Sequence, residues 1–242
     1  MRWFLAVIVL WAASVRGIPA RAAEAVDVAL VLVTDVSRSV YDGEFDLMKQ
    51  GYAAALTDRD VLAAIKGGAS GAVAVNYVEF ASAYEVKTVV DWMVIRDEAS
   101  AKAFVDKVLA APRSFWGRTS ISAGVDHAMK TLKTSGFETQ RMVIDVCGDG
   151  TNNNGREVSA ARDEAVEAGV TINGLAIIND NPQVWSLAHV QPPGGLTNYY
   201  RENVTGGVGS FVLEIHDFHS FGEAMKRKLI NEIASLPWPR RL

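Results

Sequence analysis

The stretch Val-Asp-Val-Ala-Leu-Val-Leu-Val-Thr-Asp-Val-Ser-Arg-Ser, residues 26–39, decides the fold class of this chain. Residues 26–33 are apolar and rich in valine, interrupted only by Asp27, which is the pattern of a strand buried on both faces of a sheet. The apolar run ends ahead of Asp35, and apolar side chains then recur at spacings of three and four over residues 45–56, as in a helix. A short polar loop therefore joins a buried strand to a helix.

Strand and helix patterns alternate along the rest of the chain. Strands are predicted over residues 72–80, 86–90, 141–146, 170–178 and 211–215, and helices over residues 100–111, 121–132, 156–168, 182–189 and 218–233. This alternation predicts an α/β fold with a doubly wound, mostly parallel sheet and helices on both faces. The segment before the strand at 86–90 is too short for a crossover, so this strand is expected to pair antiparallel at one edge.

The N-terminus has the features of a secretory signal. Arg2 precedes the apolar run 3–15, and the small-residue stretch 20–22 follows. We expect residues 1–22 to be a signal peptide cleaved after Ala22, although an uncleaved anchor is the alternative reading. No later stretch has the roughly 18 uncharged residues of a membrane span. The pattern predicts a single domain over residues 23–242, placed in the periplasm or secreted.

Composition narrows the classes of partner. The net charge of -4 and the lack of a long basic run argue against nucleic acid and acidic lipid as ligands. Cys147 is the only cysteine and has no partner for an intramolecular disulfide, so we expect a buried free thiol.

Polar oxygen donors follow three of the predicted strands. The loop after the first strand carries Asp35, Ser37 and Ser39, a second loop carries Thr119, and a third carries Asp149. In an open parallel sheet such loops converge outside the carboxyl ends of the strands. Donors that are all hard oxygens favour Mg²⁺, with Mn²⁺ or Ca²⁺ as alternatives, over zinc or copper. Two carboxylates balance a divalent cation and leave it able to accept a carboxylate from a partner.

These motifs resemble those of a known family. The sequences Asp-Val-Ser-Arg-Ser at 35–39, Gly-Arg-Thr at 117–119 and Cys-Gly-Asp-Gly at 147–150 are similar to the three parts of the metal-ion-dependent adhesion site of von Willebrand factor A domains. Residues 141–155 also resemble an exported bacterial branch of that superfamily whose function is unassigned. The resemblance implies a Rossmann-like doubly wound fold and a bound magnesium, but it implies no particular partner.

Three functions are compatible with this pattern. The first is a periplasmic, metal-dependent binding module that captures an acidic protein or other carboxylate-bearing ligand. The second is a magnesium-dependent phosphohydrolase of haloacid-dehalogenase type with Asp35 as nucleophile, for which residues 148–152 fit but Ser37 occupies the position of the general acid. The third is a structural component of an envelope assembly. Because no catalytic constellation is complete, we expect a binding protein and not an enzyme.

Several residues near the loops have open roles. Arg38, Arg118 and Arg156 either form a basic rim for an acidic partner or are ordinary solvated arginines. Trp116 is either an exposed contact residue or an aromatic packed under its loop. Glu79 is a candidate for orienting a ligand, and His216 and His219 are either metal-binding residues or a solvated pair at the start of a helix.

Overall fold

The structure, a computed structural model, describes residues 23–178 and 192–234. The predicted signal peptide at 1–22 and the predicted helix at 182–189 lie outside the described residues and stay predictions. Among the described residues, no helix has the length and apolar character needed to cross a membrane.

Strands and helices alternate through the described residues. The strands are β1 (Glu24–Ala25), β2 (Val28–Asp35), β3 (Val73–Phe80), β4 (Val86–Ile95), β5 (Phe137–Glu138), β6 (Met142–Gly148), β7 (Val170–Ile177) and β8 (Val212–Ile215). The helices are α1 (Asp42–Leu56), α2 (Arg59–Lys66), α3 (Glu98–Ala110), α4 (Ile121–Lys133), α5 (Val158–Glu167), α6 (Leu196–Tyr199) and α7 (Phe221–Ala234). A wide π-helical turn, Tyr200–Val204, continues α6, and a 3₁₀ turn, Phe218–Ser220, precedes α7.

The predicted α/β architecture is confirmed. Six strands form one sheet in the order β4-β3-β2-β6-β7-β8, while β1 and β5 pair separately. All neighbours in the large sheet are parallel except β3 and β4, so β4 is the antiparallel edge strand that the short connection predicts. From β2 the chain adds β3 and β4 toward one edge of the sheet, and from β6 it adds β7 and β8 toward the other edge. The switch point of the fold therefore lies between β2 and β6.

Strand β2 is apolar at nearly every position because its side chains pack into two hydrophobic cores, one on each face of the sheet. Val28, Leu30 and Leu32 pack on the face covered by α1, α3 and α7, whereas Val31 and Val33 pack on the face covered by α4 and α5. All eight residues of the strand are buried. A strand with helices on both sides has no solvated face, so it carries no alternating polar positions.

Two elements differ from the sequence expectations. Strand β4 continues to Ile95, five residues beyond its predicted end, and pairs with β3 along that length. Helix α2, which no predicted element covers, begins where the Asp58 side chain accepts a hydrogen bond from the Asp60 N–H at 2.8 Å. Its apolar side chains, Val61 and Ile65, are four residues apart and enter the core. The helix is only eight residues long, so its apolar pattern is too brief to stand out.

Helix α7 carries a buried ammonium group into the core. Lys228 is fully buried, and its Nζ lies 2.6 Å from Asp145 Oδ1 on β6 and 2.5 Å from Glu232 Oε1 on its own helix. Asn173 on β7 donates to the same Glu232 oxygen at 2.9 Å. Burial, followed by the nearby charge of Asp145, raises the pKa of Glu232 to about 7. This charged cluster ties α7 to the centre of the sheet and fixes which helix face points inward.

The contact between α1 and α7 depends on the absence of a side chain at Gly51. A Cβ at that position would lie 2.4 Å from Phe221 Cδ1 and 3.0 Å from the Gly222 nitrogen. We therefore expect Gly51→Ala to lower the free energy of unfolding by about 1–3 kcal/mol through overpacking, as measured by urea denaturation.

Gly43 in the same helix is the matched control. A Cβ there would meet nothing within 4 Å, so Gly43→Ala should leave stability unchanged or raise it by up to about 1 kcal/mol. Equal stability of the Gly51→Ala variant and the wild type would show that the two helices do not pack as closely as described.

Candidate metal site

The predicted site residues lie at the carboxyl end of the sheet, at its switch point. Asp35 is the last residue of β2, and Asp149 directly follows the last residue of β6. These two strands are paired in parallel with Thr34 opposite Cys147. The register therefore brings the carboxylates of the first and third loops to the same place, as the sequence pattern predicts.

The first loop folds back on the Asp35 carboxylate. The Ser37 N–H donates to Asp35 Oδ1 at 2.7 Å, which closes a tight turn directly after the strand. Asp35 and Ser37 are buried, while Ser39 is half-buried. The turn places the Ser37 hydroxyl 3.1 Å from that of Ser39, and Ser39 Oγ reaches Asp149 on the third loop.

A chain of hydroxyl groups links the three loops. Thr119 Oγ1 donates to Ser37 Oγ at 3.0 Å, Ser37 Oγ lies 3.1 Å from Ser39 Oγ, and Ser39 Oγ donates to Asp149 Oδ1 at 2.7 Å. The five predicted donors, Asp35, Ser37, Ser39, Thr119 and Asp149, therefore form one continuous cluster. The structure brings all of them together and leaves none outside.

The Asp35 carboxyl group is in an environment that opposes its own charge. Burial, and then the nearby negative charge of Asp149, raises the pKa of Asp35 to about 8. Within the described residues, Asp35 Oδ2 and the Tyr200 hydroxyl are buried without a hydrogen-bond partner. Both atoms lie about 3 Å from where a Cβ at Gly148 would be, at 3.0 and 2.8 Å. Gly148 leaves room for these polar atoms beside the strand.

Arg113 fixes the first loop through hydrogen bonds to its backbone, a role that no sequence motif indicated. Its Nη2 donates to the backbone oxygens of Val36 and Ser37 at 2.8 and 2.7 Å, and its Nε donates to the Phe115 oxygen at 2.9 Å. The side chain is buried and stacks over the rings of Phe45 and Trp116. A planar guanidinium suits this task because it donates in several fixed directions at once.

Three consecutive asparagines of the third loop accept hydrogen bonds from the backbone of the neighbouring segments. Asn152 Oδ1 accepts from the Ser122 N–H at 3.0 Å, Asn153 Oδ1 from the Thr119 N–H at 3.0 Å, and Asn154 Oδ1 from the Ala83 N–H at 2.8 Å. The polar run in the sequence thus serves as a scaffold for the loop that carries Thr119.

The three arginines near the loops, which sequence alone could not distinguish, differ in exposure and in ion pairing. Arg38 and Arg118 are exposed, and the Arg118 Nε reaches only a weak contact of 3.4 Å with Asn153. Arg156 instead binds Asp126 at 2.5 Å and Glu164 at 2.6 Å, so its charge is already paired. Arg38 and Arg118 are therefore the two of these arginines whose charge stays exposed at this edge.

The remaining candidates have different positions. Trp116 is 59% exposed, as expected for a contact residue, although one face of its ring stacks on Arg113. Glu79 is buried, and its Oε2 accepts a hydrogen bond from the Ser114 N–H at 2.9 Å. It therefore holds the loop that carries Arg113, and this bond orients none of the five candidate donors. His216 pairs with Glu214, and Cys147 is buried as predicted.

The donor set fits a hard divalent cation. Throughout residues 23–178 and 192–234, no group of three or more His, Cys, Asp or Glu side chains is placed to hold a metal ion, so any cation here would depend on hydroxyl donors as well as carboxylates. The candidate site combines two carboxylates with three hydroxyls, and one carboxylate oxygen, Asp35 Oδ2, has no protein partner. A cation at this position would meet an unpaired buried oxygen and offset the repulsion between Asp35 and Asp149.

Solved structures share this fold. They include proximal thread matrix protein 1 from the mussel byssus with a zinc-occupied MIDAS motif (TM-score 0.59, 17% identity, 88% of this chain and 49% of that chain). The pilus adhesin SpaC from Lactobacillus rhamnosus GG matches with a TM-score of 0.60 and 15% identity, over 86% of this chain and 30% of that chain. A von Willebrand factor type A protein from Catenulispora acidiphila matches with a TM-score of 0.57 and 13% identity, over 86% and 43%.

These likenesses establish a von Willebrand factor A-like fold. The chain spans about half, or less, of the length of each of these proteins. They are named as matrix, adhesin and von Willebrand factor type A proteins, and none of those names denotes an enzyme. No curated protein matches the chain. Residues 25–237 match the family described as protein of unknown function, DUF1194, and the chain belongs to that family.

Proposed function

We propose that this chain is a periplasmic binding module that holds one Mg²⁺ through Asp35, Ser37, Ser39, Thr119 and Asp149. Its ligand is a protein or other molecule that offers a carboxylate to the metal. When bound, the cation supplies positive charge and one exchangeable coordination position for that carboxylate.

One observation carries the proposal: the Asp35 and Asp149 carboxylates are buried at the same point of the sheet edge, and Asp35 Oδ2 has no hydrogen-bond partner among the described residues. The Arg113 guanidinium lies near Asp35 and favours its ionised form, but its N–H groups bind backbone oxygens and Asp42. A pair of buried like charges is costly unless a cation compensates it. The hydroxyl chain from Thr119 to Asp149 surrounds the same point with neutral oxygen donors.

Different residues of the chain would supply charge, neutral donors and positioning to the bound cation. Asp35 and Asp149 provide charge, and the hydroxyls of Ser37, Ser39 and Thr119 provide neutral lone pairs. Arg113 and the asparagines of the third loop hold the donors in place before any ion arrives. Such preorganisation reduces the entropy that ordering the loops would cost on binding.

The comparisons support metal binding and adhesion as functions of this fold, but they do not support a particular metal or ligand for this chain. A protein of the same fold has zinc in its MIDAS motif, and another is a pilus adhesin. Hard oxygen donors are the reason for proposing Mg²⁺ here, and the signal-like pattern of residues 1–22 is the reason for proposing the periplasm.

Asp35→Ala should abolish magnesium binding while the domain stays folded, because Asp35 is only the last residue of β2 and the backbone pairing of the strand does not need its carboxylate. Isothermal titration calorimetry on the metal-free protein measures this directly, with circular dichroism to verify the fold. Asp35→Asn keeps an oxygen acceptor for the Ser37 N–H but removes the charge, so its metal-free stability should equal or exceed that of the wild type while the Mg²⁺-induced rise in Tm disappears.

Asp46→Ala is the control, because Asp46 is an exposed carboxylate on α1. Its magnesium affinity should match that of the wild type. Unchanged Mg²⁺ affinity in Asp35→Ala would contradict the site, and partner binding that persists in chelator would favour a structural role. Turnover of simple phosphate esters that is lost in Asp35→Asn would support the phosphohydrolase hypothesis instead.

Arg113→Lys should weaken magnesium binding roughly tenfold, as expected for a residue that orients the ligands of a metal. The lysine keeps the positive charge but loses the paired bonds to the Val36 and Ser37 oxygens, so the effect reports loop position and not electrostatics. Calorimetry measures the Kd, and Arg96→Lys, at an exposed arginine, is the control. An unchanged Kd in Arg113→Lys would show that the loop needs no such support.

A further inference from the structure

A fourth loop, residues 81–85 between β3 and β4, lies against the metal-site loops. The Arg118 N–H donates to Ser82 Oγ at 2.8 Å, and the Ser120 N–H donates to the Ala81 oxygen at 2.7 Å. On its other side, the Ala83 N–H donates to Asn154 Oδ1 at 2.8 Å. The loop is therefore fixed to both the second and the third loops of the candidate site.

Tyr84 projects from this fixed loop into solvent. The turn is closed by hydrogen bonds from the Glu85 N–H to the Ser82 oxygen at 2.8 Å and from the Ser82 N–H to Glu85 Oε2 at 3.1 Å. Tyr84 itself is 100% exposed, so its ring contributes no packing to the fold. A rigid backbone presents this aromatic ring at little further cost in conformational entropy.

Trp116 projects from the adjoining loop. Its ring is held by the Arg113 guanidinium at 5.4 Å, and the next residue, Gly117, accepts a hydrogen bond from the Arg38 N–H at 3.0 Å. Four large apolar side chains are exposed in the described part of the chain, and Tyr84 and Trp116 are two of them. We call this pair the aromatic rim.

Positive charge accompanies the aromatic rim. Arg38 and Arg118 are exposed on the first and second loops, and the Arg38 side chain has no hydrogen bond or ion pair among the described residues. Aromatic residues and arginine are the types that contribute most to binding energy at protein interfaces. The surface around the metal site therefore combines apolar contact area with a preference for negative charge.

Given the proposed metal-dependent function, on which this inference rests, we propose that the aromatic rim selects the partner. The ligand is a protein segment whose metal-binding Asp or Glu has apolar or aromatic side chains beside it. Tyr84 and Trp116 contact those side chains, while Arg38 and Arg118 favour further acidic residues. Specificity then comes from the rim, because the metal accepts any carboxylate.

Selection of random 12-residue peptides displayed on phage tests this proposal. The mature full chain is immobilised in Mg²⁺, bound phage are eluted with EDTA, and selected peptides are titrated at magnesium concentrations that saturate each variant. We expect the eluted pool to be enriched in Asp or Glu flanked by apolar residues. Tyr84→Ser and Trp116→Ser should each weaken such a peptide roughly tenfold, and Tyr84→Ser should leave Mg²⁺ affinity unchanged.

Val208→Ser is the control, because Val208 is 70% exposed beside the start of β7, at the opposite end of the sheet. It should bind peptide as the wild type does. Acidic peptides without apolar flanks, or wild-type affinity in Tyr84→Ser, would overturn the role of the rim and leave the metal-dependent function standing. A pool from which EDTA releases no peptide would overturn both.

Discussion

The repulsion between two buried carboxylates is the constraint on which the candidate site depends. Asp35 and Asp149 lie at the switch point of the sheet, where solvent barely reaches either residue. Burial and mutual charge disfavour the ionised form of Asp35 and raise its pKa. In the proposed function, a divalent cation would offset this penalty and keep one coordination position for a ligand carboxylate. Under this proposal, metal binding and ligand binding both follow from the same electrostatic arrangement.

The rest of the fold maintains that arrangement. Parallel pairing of β2 with β6 sets the two carboxylates side by side, and the charged cluster of Lys228 ties α7 beneath the same strands. Arg113 and the asparagine run at 152–154 restrain the loops above. The five candidate donors are therefore preformed, and in the proposed function the exposed surface around them determines which partner binds.

Local patterns were enough to predict the sheet and the clustering of five polar side chains at its edge, while their role as metal donors stays a prediction. The apolar run at residues 28–33 marks a doubly covered strand, and polar residues directly after strands mark a ligand edge. Arg113 could not be identified in this way, because its function depends on a loop that returns beneath residues 36–37. The burial of Lys228 could not be predicted either, because it depends on counter-charge from Asp145 on a distant strand together with Glu232 on its own helix. Tertiary contacts of this kind leave no periodic signal in sequence.

Anomalous diffraction from crystals of the chain grown with Mn²⁺ tests the central claim most directly. Manganese prefers the same hard oxygen donors as magnesium and scatters strongly enough to be located without a model. We expect one strong anomalous peak between Asp35 and Asp149, bordered by the hydroxyls of Ser37, Ser39 and Thr119. A peak bound elsewhere, or none at saturating Mn²⁺, would contradict that claim.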